Sequence, residues 1–291
     1  MECYALETVH ECDVPMLVSV PRAYVITMHA TETFPWLHGV ARRTYVQRNR
    51  GFRACFKARG DGQRVDAPGQ DIIHAYRAVF ERERDTTEPV LVFEDDALLT
   101  STAKDDMPHV DRFVATHSFS VYSLGSLGAM VPHEQGHWRF WGSRLYFGCA
   151  HAMIYSPTCV RAILGFRNVR PHDQIDSRII AEMPGLFTYH RPLAYQPFSI
   201  RNRSENSHTW CVVCDGGVFG NIYDSVSREA TWAYKTVLGL DKEGGWHTLY
   251  SIQKAFVPVL AILVGLIVGL LVHLISQRLR IPRGVAGSQA R

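Results

Sequence analysis

Val90-Leu91-Val92-Phe93-Glu94-Asp95-Asp96 joins four apolar residues, mostly β-formers, to three consecutive acids. The apolar run reads as a buried strand, and the acids mark its C-terminal end. Open α/β sheets gather their ligands at such ends. Side chains alternate along a strand, so Glu94 and Asp96 are expected on one side and Asp95 on the other. Two carboxylates on one side can hold a hard divalent cation, and that cation can neutralise a pyrophosphate. A solvated acidic turn that caps a helix would have the same composition, so this stretch alone leaves both readings open.

On the N-terminal side of this stretch, Ala23–Met28 reads as the first buried strand and Arg42–Asn49 as a helix or its start. Arg53–Lys57 is a candidate second strand, followed by a turn-rich stretch, Arg59–Gly69. Ile72, Ile73, Tyr76, Val79 and Phe80 fall at helical spacing within Asp71–Glu83, and Glu88-Pro89 breaks that helix before the acid-tipped strand. Beyond the acids, Ser118–Leu124 reads as a strand closing on Gly125-Ser126-Leu127-Gly128. Leu145–Tyr155 reads as a strand or hairpin. Ser156-Pro157 opens a helix over Thr158–Leu164, Asp173–Met183 is helical until Pro184-Gly185, and Leu193–Gln196 is a short strand. Residues 1–20 read as irregular. This alternation predicts an α/β domain with a mainly parallel sheet flanked by helices.

The 291 residues are 46% apolar or aromatic, ample for a core. The net charge of +3 is spread out, with no basic block dense enough to suggest a nucleic-acid partner. Ala41–Lys57 is rich in arginine and reads as a solvated helix, with Arg42 and Arg43 as its candidates for phosphate contact. The seven cysteines are odd in number and scattered, which argues against a dense disulfide framework. Cys211-Val-Val-Cys214 has the spacing of half a zinc site. His208 is nearby, but a fourth ligand is not evident, so a local disulfide or free thiols is the simpler reading.

Ala255–Ile275 carries no acidic or basic residue and contains a single histidine, His273. Its length matches the ~20 residues of a bilayer-spanning helix. Gly265 and Gly269 form a GxxxG face through which two such helices could pack as a homodimer. Arg278, Arg280 and Arg283 follow the run and Lys254 precedes it, so positive-inside counting puts the short tail in the cytoplasm. Met1–Val20 conflicts with that orientation. It carries Glu2, Glu7, Glu11 and Asp13 and lacks the pattern of a secretory signal. A tail-anchored protein with a cytosolic domain is therefore the alternative topology. Asn202-Arg203-Ser204 would be a glycosylation site only in a lumenal domain. The expected organisation is an N-terminal segment (1–21), a globular domain (22–230), a linker (231–254), a membrane helix (255–275) and a basic tail (276–291).

Several short stretches recur in a familiar order. They are Tyr24-Val25-Ile26-Thr27, Gly69-Gln70-Asp71-Ile72-Ile73-His74, the block around Val90–Asp96, and Ser123-Leu124-Gly125. Gly148-Cys149-Ala150-His151-Ala152-Met153-Ile154-Tyr155-Ser156, Pro171-His172-Asp173-Gln174-Ile175-Asp176 and Ala194-Tyr195-Gln196-Pro197 follow. Over about residues 22–210 the series resembles glycosyltransferase family 25, which includes lipopolysaccharide glycosyltransferases and collagen galactosyltransferases. Leu91–Leu99 is its most specific part. Ile73 stands where the family has serine, and Cys149 where threonine is usual. The resemblance implies a GT-A-like nucleotide-sugar fold, a UDP-sugar donor, a divalent cation such as Mn²⁺, and inversion at the anomeric carbon. It assigns Glu94 and Asp96 to metal and nucleotide, with Asp95 as the third acid; His74, on the preceding helix, is a candidate either to pack against its apolar neighbours, the favoured reading, or to touch the donor. It places Asp173 near the acceptor, with Asp176 the close competitor.

The chemistry of sugar transfer asks for the same groups. The leaving pyrophosphate must be neutralised, the acceptor hydroxyl must lose a proton to a base within reach, and the two substrates must be aligned. A single displacement needs one base carboxylate, so Asp173 or Asp176 suffices. Three positions apart, they share a face if helical, and Asp173 could equally cap that helix. His151 reads as a buried histidine. His190 and His208 are candidates to complete a metal shell, and Trp138 and Trp141 to stack on a sugar ring or pack a loop. The function expected from the sequence is membrane-anchored sugar transfer to a glycan, protein or lipid. An inactive transferase-like binding or assembly module is the alternative, and another metal-dependent enzyme on phosphate substrates is a third.

Overall fold

The computed structural model describes residues 4–27, 31–49, 68–143, 147–166, 175–176, 180–197 and 236–279. Arg53–Lys57, Asp173, His208 and the Cys211–Cys214 pair lie outside them.

The acid-tipped stretch forms β4 (Val90–Glu94). It pairs in parallel with β2 (Arg22–Thr27), which pairs in parallel with β3 (Arg43–Asn49). The edge beyond is β1 (Tyr4–Glu11), antiparallel to β3. On the other side of β4 lies β11 (Ala152–Tyr155), antiparallel both to β4 and to β6 (Val121–Ser123). Next come β12 (Leu186–Tyr189), parallel to β6, and the hairpin of β8 (Met130–Glu134) and β9 (His137–Phe140). The nine-stranded order is β1-β3-β2-β4-β11-β6-β12-β9-β8. Two short pairs stand apart: β7 (Leu127–Gly128) with β10 (Phe147–Gly148), and β5 (Leu98–Leu99) with β13 (Ala194–Tyr195).

The α/β class holds, but the sheet is mixed rather than mainly parallel. β11 enters between two strands that it opposes, and the β8–β9 hairpin adds further antiparallel pairs. The expectation of a parallel sheet rested on continuous apolar runs, which report burial on both faces. That burial is present here: Tyr24, Ile26, Val90, Val92, Met153 and Tyr155 enter one core, while Val25, Leu91, Phe93 and Ile154 enter the other. The first core is closed by α1 (Pro68–Arg82) and α3 (Pro157–Gly165). The second is closed by α2 (Ala103–Thr116) and by Leu17, Phe34 and Leu37. A sheet with both faces covered reads as apolar whichever way its strands run.

Two other expectations change. Residues 4–11 are a strand, not an irregular segment, and Arg43–Asn49 is a strand, not a helix. Their charges are a cross-strand pattern. Arg48 pairs with Glu7 at 2.9 Å and Arg43 with Glu11 at 3.2 Å. Charges on an edge strand also discourage further strand addition. Of the two arginines that looked like phosphate ligands on a helix, Arg43 therefore meets Glu11, one of the N-terminal acids that broke the signal-peptide pattern.

The last element, α4 (Glu243–Leu279), begins well before the apolar run. Residues 243–254, expected within a linker, are its first three turns and are packed into the domain. Trp246 and Tyr250 are fully buried in the first core. The Gln253 side-chain oxygen accepts from the Gly128 amide at 2.7 Å, and the Glu243 carboxylate accepts from the Ser101 amide at 3.0 Å. From Ala255 onward nearly every described side chain of the helix is exposed. Among the described residues this one helix is long and apolar enough to cross a membrane.

Candidate active site

Glu94 ends β4 on the face that looks toward α1, as do Val90 and Val92 before it. There the Tyr76 hydroxyl donates to Glu94 Oε1 at 3.2 Å and to the Ala150 carbonyl at 3.0 Å. The chain then turns. Asp95 is held back toward β2, where the Thr27 hydroxyl donates to its Oδ2 at 2.7 Å. Asp96 points to the segment after β13, and its Oδ2 accepts from the Gln196 side-chain amide. Its other oxygen, Oδ1, is buried without a hydrogen-bond partner.

Asp176 joins this group. Its Oδ2 accepts the Cys149 amide at 2.9 Å. Cys149 has φ +68°, the left-handed region that L-residues seldom enter. That backbone turn aims the Cys149 N–H at Asp176, and strain of this kind gathers at functional sites. The same segment closes on the turn after β6, where Ser126 donates its hydroxyl to the Cys149 carbonyl at 2.8 Å.

The carboxylates feel each other. Burial raises the proton affinity of Glu94 well above the usual range, and the charges of Asp96, Asp176 and Asp95 add to it against the Tyr76 hydrogen bond. Burial pushes Asp96 up to about 6, with the Gln196 amide opposing and Asp95 assisting. The Cys149 thiol is raised by burial and then by Asp176, Glu94 and Asp96, so it is a neutral neighbour rather than a thiolate nucleophile. Burial and like-charge crowding are thus the two causes that raise the proton affinity of these carboxyls.

Hard oxygen donors and an orphaned carboxylate oxygen suit a hard divalent cation such as Mg²⁺ or Mn²⁺. Among the described residues no three His, Cys, Asp or Glu side chains already stand at ligand spacing. Any such shell would therefore be completed by water, by a substrate phosphate or by a residue outside the described set.

Other sequence candidates fall elsewhere. His74 is buried on α1, and it is Tyr76, two positions on, that reaches the acids. His151 is fully buried with its ring 5.3 Å from that of Trp246, and burial lowers it to about 4, so it is neutral near pH 7. His190 sits at the β8–β9 turn, its amide donating to the Gly136 carbonyl at 2.8 Å. Trp138 and Trp141 belong to the same corner rather than to the acids.

Sequence reading missed three supports of the cluster: Tyr76, Gln196 and Trp246. Trp246 donates its indole N–H to the Gln196 and Leu240 carbonyls, each at 3.1 Å. It thereby fixes the residue that binds Asp96. Only the position of Gln196 in a motif hinted at a role. Gly125 is tightly confined, since a Cβ there would lie 1.9 Å from the Ala194 carbonyl and 2.9 Å from His151 Nε2. Only glycine lets β6 end this close to the segment that carries Gln196.

No family model matches the chain, and no curated protein matches it.

Proposed function

We propose that the chain is a membrane-anchored, divalent-cation-dependent glycosyltransferase that moves a sugar from a UDP-sugar to a hydroxyl acceptor with inversion. The half-buried cluster of Glu94, Asp96 and Asp176, with the buried, unpartnered Asp96 Oδ1, carries this reading. The family 25 resemblance of the surrounding motifs supports it. A cation bound at Glu94 and Asp96 would offset the charge of the leaving pyrophosphate as a Lewis acid.

The chain's own residues divide the remaining work. Tyr76 and Gln196 hold Glu94 and Asp96 in place, and Thr27 keeps Asp95 turned toward β2. In the transfer, a base takes the proton of the acceptor hydroxyl and the oxygen bonds to the anomeric carbon. The bond from that carbon to the diphosphate breaks, and UDP leaves. Because Asp176 is locked into the acid cluster by the Cys149 amide, we assign it to the cation end. Asp173 is then the base.

This division has a direct test in the full-length protein in detergent micelles. Asp176→Asn should weaken Mn²⁺-dependent UDP binding about tenfold or more, the usual cost of a lost ligand or supporting group. Asp173→Asn should keep that binding and lose UDP release from a UDP-sugar in the presence of acceptor. If Asp176→Asn binds UDP normally yet cannot transfer, Asp176 is the base and the assignment reverses.

A further inference from the structure

The exposed part of α4 does not begin in isolation. Three contacts bind the domain to the helix where its apolar surface starts. Gln253 accepts from the Gly128 amide, Lys254 Nζ donates to the His190 carbonyl at 2.9 Å, and the Lys254 ammonium lies 5.6 Å from the centre of the Trp138 ring. The next backbone step is also fixed, because the Trp141 amide donates to the Ala129 carbonyl at 2.8 Å. Trp141 is thus bonded to the residue that follows Gly128, the partner of Gln253, and it is 46% exposed. Ile252 and Phe256, on either side of the Gln253–Lys254 contact, are 50% and 52% exposed.

An indole pair and a lysine at the start of a long apolar helix are the residues that settle at a membrane–water boundary. Tryptophan is amphipathic and favours headgroup depth, and lysine keeps its charge at the interface. We propose that the β7–β9 corner, with the half-buried Trp138 under Lys254 and the exposed Trp141 nearby in the chain, rests in the lipid headgroup layer of the membrane that α4 enters. This rests on the membrane-spanning part of the function proposed above, not on the transferase chemistry.

The corner and the helix together fix the height and tilt of the domain. Trp246 precedes Ala255 by nine residues on one helix, which places its ring about 14 Å from the start of the apolar run along the axis. The headgroup layer is about 5–8 Å deep. With α4 along the membrane normal, Trp246, whose indole holds the Gln196 that bonds Asp96, lies beyond that layer on the water side.

Photocrosslinking of the full-length protein in phosphatidylcholine vesicles tests the surface. p-Benzoylphenylalanine is introduced singly at Leu266 in the span, at Trp141, and at Asp85, which is exposed at the opposite end of β4 from the acids. Lipid adducts at positions 266 and 141, with a yield at 141 about tenfold above that at 85, are expected from interfacial placement. Adducts at 266 with none at 141 above the level at 85 would overturn the docking surface while leaving the span intact. No adducts at 266 would remove the membrane-spanning reading, and the proposed surface with it.

Discussion

Replacing Asp96 with asparagine should make the cation-free protein more stable at pH 7.5 while abolishing Mn²⁺-dependent UDP binding and sugar transfer. The stability effect follows from the proton count. An ordinary aspartate releases its proton near 3.8, and burial raises Asp96 to about 6 in the folded protein. Between those values the native state holds a proton that the unfolded chain has lost, so this group makes stability fall as pH rises through the window. At 1.36 kcal/mol per unit, the deficit above pH 6 is about 3 kcal/mol. Asparagine never ionises, and its carbonyl can still accept the Gln196 amide. The melting temperature should therefore rise by about 5 °C at pH 7.5 and be unchanged near pH 4. Mn²⁺ should stabilise the native protein, because a ligand of the folded state does so by mass action, and should leave the variant unmoved. Calorimetric scans at both pH values, with and without Mn²⁺, check each part. A variant less stable at pH 7.5 would show that the cluster is satisfied within the protein and does not await a cation.

Trp246→Ala should be the most damaging single change to the fold. The side chain is fully buried, contacts the His151 ring and donates to two carbonyls. Aromatic-to-alanine changes in cores cost about 3–5 kcal/mol, the emptied volume adding to the lost transfer energy. Here two acceptors are also left without their donor. Because one of them is the Gln196 carbonyl, the loss should reach Asp96 as well as the core. Trp246→Phe separates the two effects. It retains most of the packing, so the fold should survive with a loss of about 1–2 kcal/mol, while UDP affinity weakens because Gln196 is no longer fixed. Denaturant unfolding and UDP titration of both variants are the measurements. Full UDP affinity in Trp246→Phe would uncouple the helix from the acids.

Which features were legible in the sequence follows from the range of the forces that set them. β4, α1 and α3 are written in local patterns: an apolar run ending in acids, apolar residues at helical spacing, and Ser156 capping at Pro157, where its hydroxyl accepts the Cys159 amide. The apolar end of α4 was equally plain from length and lack of charge. Strand direction was not, because the alternation of side chains is the same in parallel and antiparallel strands. β1 and β3 were lost for another reason. Their charged residues break the apolar pattern, and only their pairing with each other explains those charges. The acids themselves were legible, whereas their partners were not. Gln196 is 100 residues from Asp96 and Trp246 is 50 from Gln196, so those bonds exist only once the sheet has formed. Asp173, proposed as the base, lies outside the described residues.

Calorimetric titration of UDP into the full-length protein in detergent micelles tests the proposed cation-dependent nucleotide site at Glu94 and Asp96. The full chain is needed, because Trp246, Tyr250 and Gln253 on α4 belong to the domain core and a cut at residue 250 would remove part of that support. The account predicts binding that requires Mn²⁺ and disappears in Asp96→Asn. A folded protein that binds no UDP with or without Mn²⁺ would contradict it and favour a transferase-like fold serving as a membrane-bound assembly module.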